Sequence, residues 1–247
     1  MQRFYRKILI ALTLTGLLNI PESYAGPPFN TDDPEPVSFR HWEYYVSTIN
    51  NYATGIWSGT APHFEINYGI VPEMQIHLLM PVNYTILPHQ SPVVGYADTE
   101  VGVKYRFVKE TDASPQIGTF PIAEIPTVKN ETFSNGKTKF FLPVWAQKSW
   151  NKLTTYGGLG YWFNPGSGNK NYLFSGWEVQ YDFSPALMLG GDLYFHTADT
   201  TEAKSMMAFN VGGSINVNEN VHVIFSAGHS LINAKTFTSY LGLLLTI

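Results

Sequence analysis

From about residue 41 to the C-terminus, apolar and polar residues alternate with a period of two. That pattern fits strands with one apolar and one polar face, and it leaves little room for helices. The segment 97–108 shows it best. Thr99, Val101, Val103, Tyr105 and Phe107 share one face, and Asp98, Glu100, Lys104 and Arg106 share the other. Trp177, Val179, Tyr181 and Phe183 oppose Glu178, Gln180 and Asp182; Phe209, Val211, Ile215 and Val217 oppose Asn210, Ser214 and Asn216; Phe64, Ile66 and Tyr68 oppose Glu65 and Asn67. No window of similar length has a helical period.

Twelve strands are expected, near 41–51, 61–69, 73–84, 97–108, 116–125, 139–149, 153–163, 172–183, 187–196, 207–217, 221–229 and 237–247. Most have the length a tilted strand needs to cross a bilayer. Their connections alternate in length. Those around Ile70-Val71-Pro72, Trp150-Asn151-Lys152, Ser184-Pro185-Ala186 and Asn218-Glu219-Asn220 are short, and 109–115 is the longest of that set. The intervening ones, near 52–60, 85–96, 126–138, 164–171, 197–206 and 230–236, read as longer. Short turns at one end and long loops at the other are the pattern of an outer-membrane barrel.

Alternation alone does not say which face looks inward, and a soluble sandwich or barrel would bury the apolar one. Three facts favour lipid outside. Charged residues are only 14% of the chain, against about 25% in ordinary soluble proteins. Twelve strands enclose more space than one layer of inward side chains fills. Aromatics gather near strand ends, at Trp42, Tyr44, Tyr68, Tyr84, Tyr105, Phe107, Tyr161, Phe163 and Phe183, which suits interfacial girdles. The expected fold is therefore all-β: a closed antiparallel transmembrane barrel of about twelve strands, since lipid offers no partner for an open sheet edge.

Residues 1–25 read as a cleaved signal peptide. Arg3, Arg6 and Lys7 precede a short apolar run, Ile8 to Leu18, and Ser23-Tyr24-Ala25 fits the cleavage rule. The run is too short for a membrane-spanning helix. Residues 26–40 form an extended lead-in that sits outside the barrel or folds up into its lumen, and 41–247 form the barrel. The expected location is the outer membrane of a Gram-negative cell.

The quoted residues also resemble a known family. Gly26-Pro27-Pro28-Phe29-Asn30-Thr31-Asp32-Asp33-Pro34-Glu35-Pro36-Val37 leads into His41-Trp42-Glu43. Later come Gly95-Tyr96-Ala97-Asp98-Thr99-Glu100-Val101-Gly102-Val103-Lys104-Tyr105-Arg106-Phe107, Leu142-Pro143-Val144-Trp145-Ala146-Gln147-Lys148-Ser149-Trp150 and Thr154-Thr155-Tyr156-Gly157-Gly158. Together they resemble the meta-pathway phenol-degradation proteins of bacterial outer membranes, a family described as transporters. The resemblance spans the whole mature chain. It implies an outer-membrane barrel and a route for small organic molecules, aromatic or hydrophobic ones among them, and it supplies no catalytic residue. Tyr240-Leu241-Gly242-Leu243-Leu244-Leu245-Thr246-Ile247 resembles the terminal signal read by barrel-assembly machinery, with Ile247 in place of the usual Phe.

No motif implies a cofactor. With no cysteine, thiolate chemistry is excluded. Net charge is −4 and no basic cluster exists, so nucleic acid is not an expected partner. Gly157, Gly158 and Gly160 lack the helix and lysine of a phosphate loop and are expected to relieve crowding inside the barrel. The histidines show no metal spacing. Asp32-Asp33-Pro34-Glu35 has the oxygens of a calcium site but not its loop spacing, and reads better as proline-stiffened chain. The expected lumen-lining residues, on the polar faces, are Glu43, Glu65, His77, Asp98, Glu100, Lys104, Arg106, Glu124, Glu178 and Asp182, with Lys139 and Asp192. They would line a pore, form ion-pair ladders, or both. Three functions stay open: a channel or transporter for a small-molecule solute, an outer-membrane enzyme acting on lipid, and a structural or adhesive barrel with a plugged lumen. The partners expected are outer-membrane lipids, the assembly machinery and the solute.

Overall fold

The computed structural model describes residues 27–127 and 132–247. The expected signal peptide lies outside them. The described chain forms fourteen β segments: β1 (Trp42–Ala53), β2 (Ile56–Val71), β3 (Met74–Ile86), β4 (Val93–Tyr96), β5 (Thr99–Val108), β6 (Gln116–Thr119), β7 (Ile122–Ile125), β8 (Lys139–Trp150), β9 (Leu153–Phe163), β10 (Tyr172–Ser184), β11 (Leu187–His196), β12 (Met206–Asn216), β13 (Val221–Ile232) and β14 (Thr236–Thr246).

Two pairs of these segments are collinear. β4 and β5 both pair with β3, and β6 and β7 both pair with β5 and β8. Each pair is one barrel strand with a break, at Ala97-Asp98 and at Phe120-Pro121, so the wall has the twelve expected strands. β1 pairs antiparallel with β14 from Glu43↔Thr246 to Ala53↔Thr236, which closes the ring. Closure leaves no long free edge.

The connections at the rim where β1 begins are short, at 72–73, 151–152, 185–186 and 217–220, with 109–115 the longest, as expected. The opposite, upper rim departs from expectation three times, one of them at the connection read as 85–96, which shrinks to 87–92 because 93–96 form β4. The connection read as 52–60 is the two-residue turn Thr54-Gly55, and that read as 230–236 shrinks to 233–235. Thr54 and Gly55 both have positive φ, 51° and 87°, the requirement of a tight hairpin turn matched to strand twist. Gly59, which reads as loop punctuation, stays in the ladder. An added Cβ there would lie 1.9 Å from the Ile49 carbonyl oxygen, so glycine permits the close approach of β1 and β2.

Facing follows the alternation. Val101, Val103 and Tyr105 are exposed on the outer surface, whereas Glu100 and Lys104 are buried inside. The same outward set recurs around the ring, including Leu142, Val144, Leu159, Val211, Leu241 and Leu243. Outward aromatics pack in pairs near the rims: Trp42 stacks on Tyr68 at 4.2 Å, and Tyr161–Phe163 and Tyr181–Phe183 meet edge to face.

The interior is divided. Phe120, Ile122, Phe141, Trp145, Trp162, Tyr172, Phe174, Tyr194 and Ala208 form one buried apolar cluster on β7–β12. Phe141 stacks on Trp162 at 4.8 Å, and Trp162 on Tyr172 at 5.9 Å. Gly158 and Gly160 face these rings. A Cβ on Gly160 would come within 2.3 Å of the Phe141 ring, so the expected relief of crowding is local and specific.

Candidate functional site

The lead-in lies inside the barrel. Phe39 bridges to Gly69 at the lower rim, and from there the segment Pro27–Ser38 runs into the lumen as a strap. Each of its attachments joins a strap group to an inward polar residue of the wall. The Thr31 amide and hydroxyl both donate to Asp192 of β11, at 3.0 and 3.2 Å. Asp192 is further fixed by Asn210 at 2.9 Å. Asp32 accepts from the Lys104 ammonium at 2.9 Å, and Asp33 lies 3.6 Å from the same nitrogen. Glu35 meets Arg106 at 3.3 Å and takes hydrogen bonds from Gln116 and Gln147. The Val37 amide donates to Gln75 at 2.7 Å. Thr31 is fully buried against Gly176, whose missing side chain makes the space it fills. Asp32 and Glu35 thus hold the strap to barrel cations.

Across from the aromatic cluster stands a charged wall on β2–β8. His77 of β3 sits 2.9 Å from Glu100 of β5 and 3.5 Å from Glu65 of β2, and it hydrogen-bonds Asn67 at 2.7 Å. Asn67 in turn donates to Glu65 at 2.8 Å. The ladder continues across the next strands, where Glu124 pairs with Lys139. Buried charges persist only with partners of this kind. Glu43 on β1 accepts from Tyr45 at 2.9 Å. Arg106 lies lower and joins Glu35 to Glu73 of the β2–β3 turn at 2.6 Å. The hydrogen bond from Arg106, with a second from Lys109, holds the Glu73 carboxyl below the usual carboxylate range.

Of the expected lining residues, Glu43, Glu65, His77, Glu100, Lys104, Arg106 and Glu124 are brought together on this wall. Glu178 is fully buried on the far side, opposite Asp192 in the β10–β11 register. Asp98 is buried at the β4–β5 break. Asp182 does not join the lining. It is exposed at the lower rim, where a bulge ends the β10–β11 ladder and its amide bonds the Lys152 carbonyl. The aromatic side was not readable from alternation, because β8 is apolar on both faces: Phe141 and Trp145 point in, Phe140, Leu142 and Val144 point out.

Between strap and wall lies a cavity of about 480 Å³. Its lining includes Asp32, Asp33, Glu35, Glu43, Glu65, Glu100 and Lys104, together with Tyr45, Phe120, Tyr156 and Tyr240. Among the described residues no group of three His, Asp or Glu is placed to hold a metal ion. Ser47 lies 3.2 Å from His63, yet the pair faces the lumen and not the lipid side or the rim, where a lipid-modifying enzyme would need it.

No family model matches the chain, and no curated protein matches it in sequence. Solved structures do match in shape. An outer membrane channel from Pseudomonas putida F1 superposes with a TM-score of 0.68 at 15% identity, covering 87% of this chain and 98% of that one. The NanC porin gives 0.60 at 11% identity over 82% and 98% of the two chains. The KdgM porin, in complex with disordered oligogalacturonate, gives 0.55 at 11% over 81% and 98%. The chain thus has the fold of outer-membrane channel barrels.

Proposed function

We propose that this protein is an outer-membrane channel that passes small organic molecules through the lumen beside the strap. The observation that carries the reading is the inversion of an ordinary globular protein: apolar side chains outside a closed ring, charged and hydrogen-bonding ones within. The names of the barrels it resembles in shape, a channel and two porins, support the same reading. The lower rim then faces the periplasm. β14, with Leu241, Leu243 and Leu245 outward, is the strand offered to the assembly machinery. The resemblance to the phenol-degradation family, with the inward aromatic cluster, favours solutes that carry an aromatic or hydrophobic body.

The strap supports a second reading, a structural barrel with a closed lumen. Planar-bilayer recording separates the two. A channel gives a small steady conductance in KCl, larger after deletion of residues 27–36. A structural barrel closed by the strap gives none with the strap in place and conducts only after that deletion.

A further inference from the structure

The cavity beside the strap carries more charge than its own partners neutralise. Six carboxylates line it, Asp32, Asp33, Glu35, Glu43, Glu65 and Glu100, against one lysine and two histidines. Lys104 serves the strap end, where its ammonium sits by Asp32 and Asp33 and 5.2 Å from the centre of the Phe120 ring. That arrangement of carboxylates plus an aromatic face is how an ammonium is held in a partly dry site. The other end has Glu43, Glu65 and Glu100, with His77 between Glu65 and Glu100 and His63 close to Glu65. One acceptor there also lacks a partner. Glu100 gives one oxygen to His77, and its second oxygen is buried with no hydrogen-bond donor. The Tyr240 hydroxyl, on a side chain 8% exposed, lines the same end beside Ser47. A buried acceptor without a donor is costly, and such groups in native proteins call for an explanation.

We infer that this cavity is a binding site for a small organic ammonium compound, its charged nitrogen beside Glu43, Glu65 and Glu100 and its apolar body against the tyrosine and phenylalanine rings. This names the substrate class of the proposed channel and rests on that reading. A volume of about 480 Å³ is in the range of small-ligand pockets, which run from about 300 to 1,000 Å³. The absence of a metal-holding trio among the described residues and the aromatic lining together favour an organic cation over a metal ion.

Calorimetric titration of the full-length mature protein in detergent tests it, with 2-phenylethylamine, 2-phenylethanol and phenylacetate as probes of one shape and three charges. The amine is expected to bind about tenfold or more tighter than the other two. Glu43→Gln and Tyr240→Phe should each weaken the amine severalfold and leave the alcohol unchanged. Glu43→Gln keeps the bond from Tyr45, because an amide oxygen still accepts. Failure of the amine to bind, equal binding of all three probes, or an unchanged amine affinity in both variants overturns the inference. Titration needs no permeation, so KCl conductance of the same preparation reports on the channel separately. Conductance without amine preference removes only the ligand class, and amine binding without conductance removes only the channel.

Discussion

The two inner walls of this barrel obey one rule outside and two rules inside. Around the whole ring, outward residues are apolar. Inward, the β2–β8 wall is a chain of ion pairs, whereas the β7–β12 cluster is stacked rings, the two overlapping where the broken strand β6–β7 joins β8. The charged wall is stabilised only as a set: His77 pairs with Glu65 and Glu100 together, and Lys104 needs the strap to supply Asp32. The aromatic wall is self-sufficient, filling volume with Phe141, Trp145 and Trp162 where Gly158 and Gly160 leave room. One side holds its shape by packing. The other holds it by pairing, and part of the pairing comes from a segment that is not in the wall.

That contrast gives graded expectations. Trp145→Ala should have the largest effect. The side chain is 1% exposed at the centre of the rings, and such truncations cost about 3–5 kcal/mol; urea unfolding in lipid vesicles should show it, with Trp145→Phe losing less. Val103→Arg is next. It tests the outer rule that both walls share and should cost about 2–4 kcal/mol if Val103 sits near the bilayer midplane, while Glu100→Gln leaves assembly intact and alters ion preference. If Val103→Arg folds as well as the parent while Glu100→Gln does not, the facing is reversed. Lys104→Met leaves Asp32 buried without its cation, a loss of about 1–3 kcal/mol, smaller because the strap is free to leave. It should raise KCl conductance, and adding Asp32→Asn should restore most of the stability. Glu73→Gln should be smallest, under about 1 kcal/mol, since this pair sits at the rim, partly open to solvent. Glu73 is held below its ordinary value, so its contribution is present at neutral pH and fades as pH falls through that lowered pKa. An acid titration of stability should therefore differ between Glu73→Gln and the parent only above that point.

Strand number, strand order and facing were legible because alternation is local: Glu100, Val101, Val103 and Lys104 declare their sides without reference to any other strand. Four things were not. The break at Phe120-Pro121 leaves the alternation intact, so β6 and β7 read as one strand, whereas β4, which does not alternate, reads as part of the connection 85–96 and only the β5 half reads as strand. The hairpin at Thr54-Gly55 was hidden because Gly59 reads as part of the connection 52–60, although it serves the close approach of two strands. The lining was legible where it is charged and silent where it is aromatic, since Phe141 and Phe140 are alike by hydropathy and differ only in direction. The strap's position left the choice between outside and lumen open. Its contacts, Thr31 to Asp192 and Asp32 to Lys104, join residues 161 and 72 positions apart, and no short-range pattern encodes them.

Covalent continuity between strap and β1 has a consequence for how tightly anything else can hold the lumen. A tethered segment a few residues long meets its site at an effective concentration in the millimolar range or above, whatever the dilution of the protein. A solute that needs the strap's own space, and not the cavity beside it, competes with a ligand that never diffuses away, and its apparent affinity falls by the fraction of time the strap is seated. Weak individual anchors are then enough to keep occupancy high, and a single lost anchor shifts occupancy for every such solute by the same factor.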